Sequence, residues 1–413
     1  MSPVLPFDII ALIVDIVGED YDSETKFLKE LALVSHSFLH ICRKHLFAIV
    51  ELHDADPLCH VASSKKGFVK LLESRPTVVK YIRKLTYIID YDHLQSPQFS
   101  LLNFDNDDNL LSPILPNFLR TISRLNSLKI QASLLNWNLL NPSLTSALLH
   151  LMHLPTINHI DLSFIYDFPL SSLTPSVNLL RLDITRLRGS RLEVDGSSGF
   201  VVQSEMMPKI REFSTLDSTL VTMKLLHAKM QDGQPAFNLM DLRRLTLSSV
   251  WFDDEENLRY LLQNAKSLEK LHLYIAHENL WGLHDILSLS PRTLKVFDLS
   301  LSLSYAVCLA LTGPGWDFET MAGRNMLEAL FCELQVDGNA SVDALGSILR
   351  RVEEVLMKPG WPALRQVSFN VEILPLGDSV SLSEALQSLP DKYLSHLPKH
   401  ESIAFNFSAY VST

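Results

Sequence analysis

The hexapeptide Leu242-Arg243-Arg244-Leu245-Thr246-Leu247 returns as Leu268-Glu269-Lys270-Leu271-His272-Leu273. It returns again as Leu294-Lys295-Val296-Phe297-Asp298-Leu299, so the starts are 26 residues apart twice. The rule is an apolar residue, two variable ones, a second apolar residue, one variable, then a third apolar residue. Working outward, the same spacing occurs at Ile82-Leu85-Tyr87, Leu125-Leu128-Ile130, Ile157-Ile160-Leu162 and Leu179-Leu182-Ile184. Towards the C-terminus it occurs at Leu327-Leu330-Cys332 and Leu364-Val367-Phe369, with weaker copies at Ile210-Phe213 and Ile403-Phe405. Each copy is short and alternating, which is the pattern of a strand with one buried face. Helical periodicity fills several of the intervals, at 143–153, 254–265, 278–287 and 342–357. Asp253 or Asp254 and Ser341 stand where N-caps belong. One strand–helix unit cannot bury its own apolar face, so neighbouring units must stack.

The recurrence resembles the leucine-rich repeat family in an irregular form common among F-box proteins. The asparagine expected three residues after the last apolar position is absent: Ala276 stands there after Leu273, and Val250 after Leu247. The resemblance implies parallel strands on one face and helices on the other. The variable strand residues would then line a binding face for a protein substrate. They are Lys129, His159, Asp161, Arg181, Asp183, Arg244, Lys270, His272, Tyr274 and Asp298, with Thr246 and Gln366 beside them. Their mixed charge suits a protein partner.

The N-terminal stretch reads differently. Residues 7–17 have the pattern of a helix, with Pro6 before or in its first turn, Asp8 at its positive end and Gly18 as its stop. Ile9, Ile13 and Ile16 fall on one line of that helix, and Ile10, Val14 and Val17 on another, a wider stripe than one core needs. Residues 19–26 read as a loop, 27–34 as a second helix, and 36–47 as a third capped by Ser35. Three short helices with this much aliphatic and aromatic surface cannot hide all of it among themselves, which calls for a partner.

The strings LPFDIIALIVDIV and LKELALVSHSFLHICRKHLF resemble the F-box, most closely the version in fungal F-box proteins. Leu5, Pro6 and Asp8 match its opening; Ile9, Ile10, Ile13 and Val14 its aliphatic run; Leu31, Val34, Ser35 and Phe38 its later stretch. Phe38 stands where the family often has Trp, and the connection at 18–26 is longer and more acidic than the family minimum. The resemblance implies binding to a Skp-type adaptor and a cullin scaffold. Leu5, Pro6, Ile9, Ile10, Ile13 and Val14 would form the contact surface, with Val34, Ser35, Phe38 and Leu46 extending or supporting it. Burying five or six aliphatic side chains yields roughly 10 kcal/mol, against association costs of ~4–15 kcal/mol.

Bulk properties bound the alternatives. The 413 residues carry 36 basic and 47 acidic side chains, a net charge of −11, with no basic stripe. Nucleic acid is therefore not the expected partner. Four scattered cysteines (Cys42, Cys59, Cys308, Cys332) form no CxxC pair, so neither a disulfide framework nor a zinc site is expected. The apolar opening lacks a basic leader and carries Asp8 and Asp15, and no segment reaches ~18 uninterrupted apolar residues, so neither a signal peptide nor a membrane span is expected. His36 and His40 have a metal-like spacing near Cys42 and His45, but no companion ligands are evident. The run from His277 to His284 fails the HExxH pattern at Trp281, and Asp195-Gly-Ser-Ser-Gly199 fails the nucleophile elbow. No triad is nominated by the scattered Ser, His and Asp residues.

The resulting expectation is an α/β chain with a three-helix F-box at 1–48, a helical connector at 49–80 and a leucine-rich-repeat-like solenoid with a parallel sheet at 81–413. Its expected role is a non-enzymatic, cofactor-free substrate receptor of an SCF-type ubiquitin ligase, cytoplasmic or nuclear. The alternative is a leucine-rich-repeat interaction scaffold acting outside a ligase.

Overall fold

A computed structural model describes residues 7–19, 21–54, 64–89, 114–188, 201–202, 208–230, 232–248, 255–275, 292–303, 326–336, 341–374 and 379–411, with single positions at 289 and 323. The chain divides into two compact units, 1–196 with 202–208 and 197–201 with 209–413. Both are mixed α/β with parallel sheets.

Unit 1 opens with helices α1 (Phe7–Glu19), α2 (Tyr21–Val34) and α3 (His36–Leu46). Val14, Leu28, Ala32, Ile41 and Cys42 form their small core, with Ile10, Val17, Leu31, Leu39 and Leu46 packed against it. Ser35 caps α3, its hydroxyl accepting from the Phe38 amide at 3.3 Å. Two local expectations are corrected. Residues 21–26 are helical rather than a loop, because a polar run suits a solvent-facing helix turn as well as it suits a loop. Gly18 lies inside α1 rather than ending it. A Cβ there would stand 2.3 Å from the His45 ring, so the glycine serves the close approach of α3. His45 completes that contact with a 2.8 Å hydrogen bond to the Asp15 carboxylate, which Lys44 also engages. Burial alone would raise the Asp15 pKa, but the hydrogen bonds from Lys44 and His45 and their charges hold it below the usual value.

The remainder of unit 1 carries strands β1 (Ile49–Asp54), β2 (Lys84–Ile89), β3 (Ser127–Asn136), β4 (His159–Tyr166) and β5 (Arg181–Thr185). Helices α4 (Ser64–Ser74), α5 (Ile114–Thr121) and α6 (Pro142–Met152) lie between them in sequence. The strands are parallel and ordered β1-β2-β3-β4-β5. β1 corrects the all-helical connector. Val50 pairs with Leu85 and Leu52 with Tyr87, so Phe47-Val50-Leu52 is a further copy of the repeat.

Unit 2 carries β7 (Glu212–Leu216), β9 (Arg244–Ser248), β10 (Lys270–Ile275), β11 (Val296–Leu303), β12 (Ala329–Val336), β13 (Gln366–Ile373) and β14 (Ala404–Val411), parallel and in that order. Two-residue strands β6 (Val201–Val202) and β8 (Lys229–Met230) stand apart from this sheet. Its helices are α7 (Thr219–Leu226), α8 (Glu255–Asn264), α9 (Val342–Leu356), α10 (Ser379–Gln387) and α11 (Leu389–Tyr393). The expected cap of α9 is present: the Ser341 hydroxyl accepts from the Ala344 amide at 3.3 Å. The helix expected at 278–287 and the Asp253/Asp254 cap lie outside the described residues.

All three apolar positions of each full copy found in the sequence are buried. Among the weak copies, Phe213 pairs with Leu245, and the third position is taken by buried Thr215, whose hydroxyl meets that of Thr222 at 3.1 Å. At the C-terminus Phe405 pairs with Val367 and Phe407 with Phe369, so the second and third positions are Phe405 and Phe407, and Ile403 is off register by one.

The missing asparagine ladder has a backbone counterpart at the strand entries. The carbonyl of the residue after the first apolar position accepts two consecutive amides from the next strand entry. Arg83, Asn126 and Asn158 do so in unit 1, and Arg211, Arg243, Glu269, Lys295 and Glu328 in unit 2, at 2.7–3.1 Å. The amides entering these strands are thereby paired.

Candidate functional site

The helical triplet places the candidate adaptor residues in distinct environments. Ile9 and Ile13 on α1 and Val34 at the end of α2 are exposed. Ile10 and Leu46 are half-buried against the small core, Phe38 is half-buried, and Ser35 is exposed at its capping position. Val14 is a correction: at 0% exposure it is core and has no surface to offer a partner. Leu5 and Pro6 lie outside the described residues. The sequence reading passed over Phe7, Leu12, Phe27 and Leu33, which are also exposed, and it had not set Ile16, 61% exposed, among the contact residues. The signal for Leu33 was available, since α2 turns Leu28, Leu31 and Ala32 inward and leaves the next two positions outside.

The polar strand faces hold the second candidate set, and the structure distributes it between the two units. In unit 1, Lys129, Asp161 and Asp183 stand in one row across β3, β4 and β5, with His159 beside Arg181 in the row before. Lys129 Nζ lies 3.3 Å from Asp161, which also accepts from the Ser163 hydroxyl at 3.0 Å. His159 bridges two strands: Nδ1 meets the Ser127 hydroxyl at 2.9 Å, and Nε2 meets the Asp183 carboxylate at 2.8 Å. Arg181 Nε donates to the same oxygen at 2.8 Å.

Ser127, His159 and Asp183 thus have the membership of a hydrolytic triad. The surroundings differ. An acyl-transfer site needs N–H donors aimed at a developing oxyanion. The Ser127 and His159 amides instead donate to the Arg83 and Asn126 carbonyls. The relay orders side chains across three strands.

In unit 2, Arg244 and Lys270 share one row, His272 and Asp298 the next, and Tyr274, Ser300 and Glu333 a third. Arg244 lies 3.2 Å from Glu212, and His272 Nδ1 meets Asp298 at 2.8 Å. Tyr274 donates to Gln335 at 3.2 Å, and Gln335 to Glu372 at 2.7 Å. Ser300 donates to Glu333 at 3.1 Å. Glu333, Gln335 and Glu372 were missed because the three-position motif stops at Cys332 and Phe369. The strands run on, and the same alternation continues through Leu334 and Val336.

The Tyr274 hydroxyl is pushed up by burial and by the negative charges of Asp217, Glu333 and Glu372, so it remains a donor. His272 is raised by its hydrogen bond to Asp298, against burial, with the charges of Asp298 and Glu333 adding to the rise. The pair therefore stabilises the fold fully below the ordinary imidazole pKa of about 6.5, and that contribution is lost as pH rises through the raised value. In an NMR titration Asp298→Asn is expected to lower the His272 midpoint; an unchanged midpoint would remove Asp298 as the cause.

Cys42 and Cys332 are buried and free, and burial holds both thiols above their usual range, so they are poor nucleophiles. Cys59 and Cys308 lie outside the described residues. Among the described residues, no group of three or more His, Cys, Asp or Glu side chains is placed to hold a metal ion, and no helix is long and apolar enough to cross a membrane. No protein-family model matches the chain, and no curated protein matches it either.

Proposed function

We propose that the chain is a non-catalytic substrate receptor of a cullin-RING ubiquitin ligase, working in the cytoplasm or nucleus. In this reading α1 to α3 are an F-box that holds a Skp-type adaptor, and the leucine-rich-repeat-like polar strand faces hold a protein substrate. The observation that carries it is the surplus of apolar surface on the triplet. Its core is already filled by Val14, Leu28, Ala32, Ile41 and Cys42, yet Ile9, Ile13, Ile16, Leu33 and Val34 remain in water, Leu33 at 87% exposure. Isolated exposed leucines are ordinary, whereas contiguous ones on short helices mark a protein contact. Catalysis is then by proximity: tethering raises the substrate's effective concentration at the transferring thioester, and this chain supplies no reacting group.

Changing Ile9 and Ile13 together to Asp is expected to weaken co-purification with the adaptor at least ~10-fold. The helical signal by circular dichroism should be retained, because neither side chain belongs to the core. Undiminished co-purification would sink the reading. Adaptor binding with no cullin in the isolated complex would favour an interaction scaffold outside a ligase.

A further inference from the structure

The polar strand face of unit 2 changes character along its strands. At the strand entries it carries Arg244 and Lys270. Further along, His272, Asp298, Phe331, Ser368 and Asn406 share one row, and Tyr274, Ser300, Glu333, Asn370 and Ser408 the next. Gln335, Glu372 and Tyr410 stand in the row beyond. Strands β11 to β14 bring three carboxylates to this face, Asp298, Glu333 and Glu372, and contain no lysine, arginine or histidine. With neighbouring strands ~4.8 Å apart and ~6.6 Å between alternate residues, the three step diagonally across β11, β12 and β13, about 8 Å from one Cα to the next.

Each carboxylate is positioned by a neighbour: Asp298 by His272, Glu333 by Ser300 and Glu372 by Gln335. An ionised carboxylate has about four acceptor sites, so one positioning bond leaves capacity for a partner. Their field reaches both borders of the face. The Tyr274 and Tyr410 hydroxyls are pushed up by burial and then by negative charge, to which Glu333 and Glu372 contribute in both cases. Ser368 is an independent sign. It alternates with core-facing Val367 and Phe369, lies between Phe331 and Asn406 on the polar face, and is only 9% exposed. Among the described residues its hydroxyl has no hydrogen-bond partner. A buried hydroxyl in that position costs free energy until a bound group pairs with it. Phe331 is half-buried and Tyr410 exposed, so ring surface lies beside the charges.

We propose that the polar face of β11 to β14 binds a short basic segment of a protein. Its lysine or arginine head groups meet Asp298, Glu333 and Glu372, their aliphatic stems lie over Phe331 and Tyr410, and the Ser368 hydroxyl pairs with an N–H of the segment. Charge complementarity selects this occupant, because four adjacent strands offer negative charge and no cation of their own. A single metal ion does not fit: carboxylates stepped at this spacing do not converge on ligand distances of about 2.3–2.6 Å. That the segment belongs to a substrate rests on the receptor reading above; the binding itself does not.

The test uses the full chain and fluorescein-labelled short peptides of one sequence carrying Arg, Lys or Gln at the same positions, with spermidine as a competitor. The Arg or Lys peptide is expected to bind by anisotropy, and the stronger of the two names the cation. The Gln peptide should bind at least ~10-fold more weakly. Glu333→Gln with Glu372→Gln should weaken the basic peptide at least ~10-fold while the thermal midpoint holds, because each glutamine keeps an acceptor for Ser300 or Gln335. Glu372→Lys alone carries the test should that pair fail to fold, and is expected to abolish binding. Equal binding of the Gln peptide, undiminished binding by both variants, or full displacement by equimolar spermidine would overturn the proposal. The second of these would assign the attraction to the net charge of −11 at large. Adaptor co-purification is measured on the same preparations. Peptide binding without adaptor would remove the ligase reading and leave this face standing, whereas adaptor binding without peptide would overturn this proposal alone.

Discussion

Replacing Glu353 by alanine is expected to destabilise unit 2 by about 3–5 kcal/mol. Glu353 lies on α9 with 4% of its surface exposed, and its carboxylate organises the segment leading into the last strand. One oxygen accepts from the amides of His396 and Leu397 at 2.8 and 2.7 Å. The other accepts from the amide and hydroxyl of Ser395 at 3.1 and 3.3 Å. Alanine would leave the buried Leu397 amide unpaired at ~1–3 kcal/mol, and would remove the half-buried bonds of Ser395 and His396 to a charged acceptor, a loss of ~1.5–3 kcal/mol.

The effect has a defined pH dependence. Burial alone would raise the Glu353 pKa, but the backbone N–H groups of Leu397, Ser395 and His396 overcome it and hold the carboxyl below its ordinary value. Its contribution is therefore present in full above about pH 4.3, the ordinary glutamate value, and lost as pH falls through the lowered value in the folded state. Urea unfolding of the wild type and Glu353→Ala should differ most near neutrality and converge in acid; a constant difference would assign the loss to packing. Glu353→Gln should fall between the two, because its carbonyl replaces one acceptor while its NH2 group faces a donor.

Phe297→Ala is expected to cost about 3–5 kcal/mol as well, by a different route. Phe297 is the second apolar residue of its repeat, fully buried, and paired with Leu271 on one side and Leu330 on the other. Truncation removes the ring's transfer energy and leaves a cavity that a parallel sheet cannot close without shifting two registers. In a stacked array each repeat is stabilised mainly by its neighbours, so the loss spreads along the stack. Amide exchange should quicken in β10, β11 and β12 together. Acceleration confined to β11 would mean that neighbouring repeats do not share this residue's stability.

Much of the strand framework was legible because a parallel strand buried on one face must repeat its apolar positions with period two. The triplets from Ile82-Leu85-Tyr87 to Leu364-Val367-Phe369 reported that burial directly. The copy at Phe47-Val50-Leu52 was present in the same letters and was missed because Phe47 also completes the pattern of α3. The helix at 21–26 escaped for the opposite reason, since a polar run carries no apolar period to detect. For the candidate site, the sequence marked the aliphatic stripe of α1 but did not separate buried Val14 from exposed Ile13, adjacent residues about 100° apart around the helix.

By itself the sequence determined where the apolar positions fall, and hence the parallel strands, the intervening helices and an excess of apolar surface on the first three helices. Only the tertiary structure decided which polar side chains meet. Asp183 reaches His159 and Arg186 reaches Phe164 because β4 and β5 lie in register. Local periodicity encodes which face of an element is buried. Encounters between residues about twenty positions apart depend on strand register and on backbone angles such as the left-handed φ at Phe164, and no spacing of letters records either.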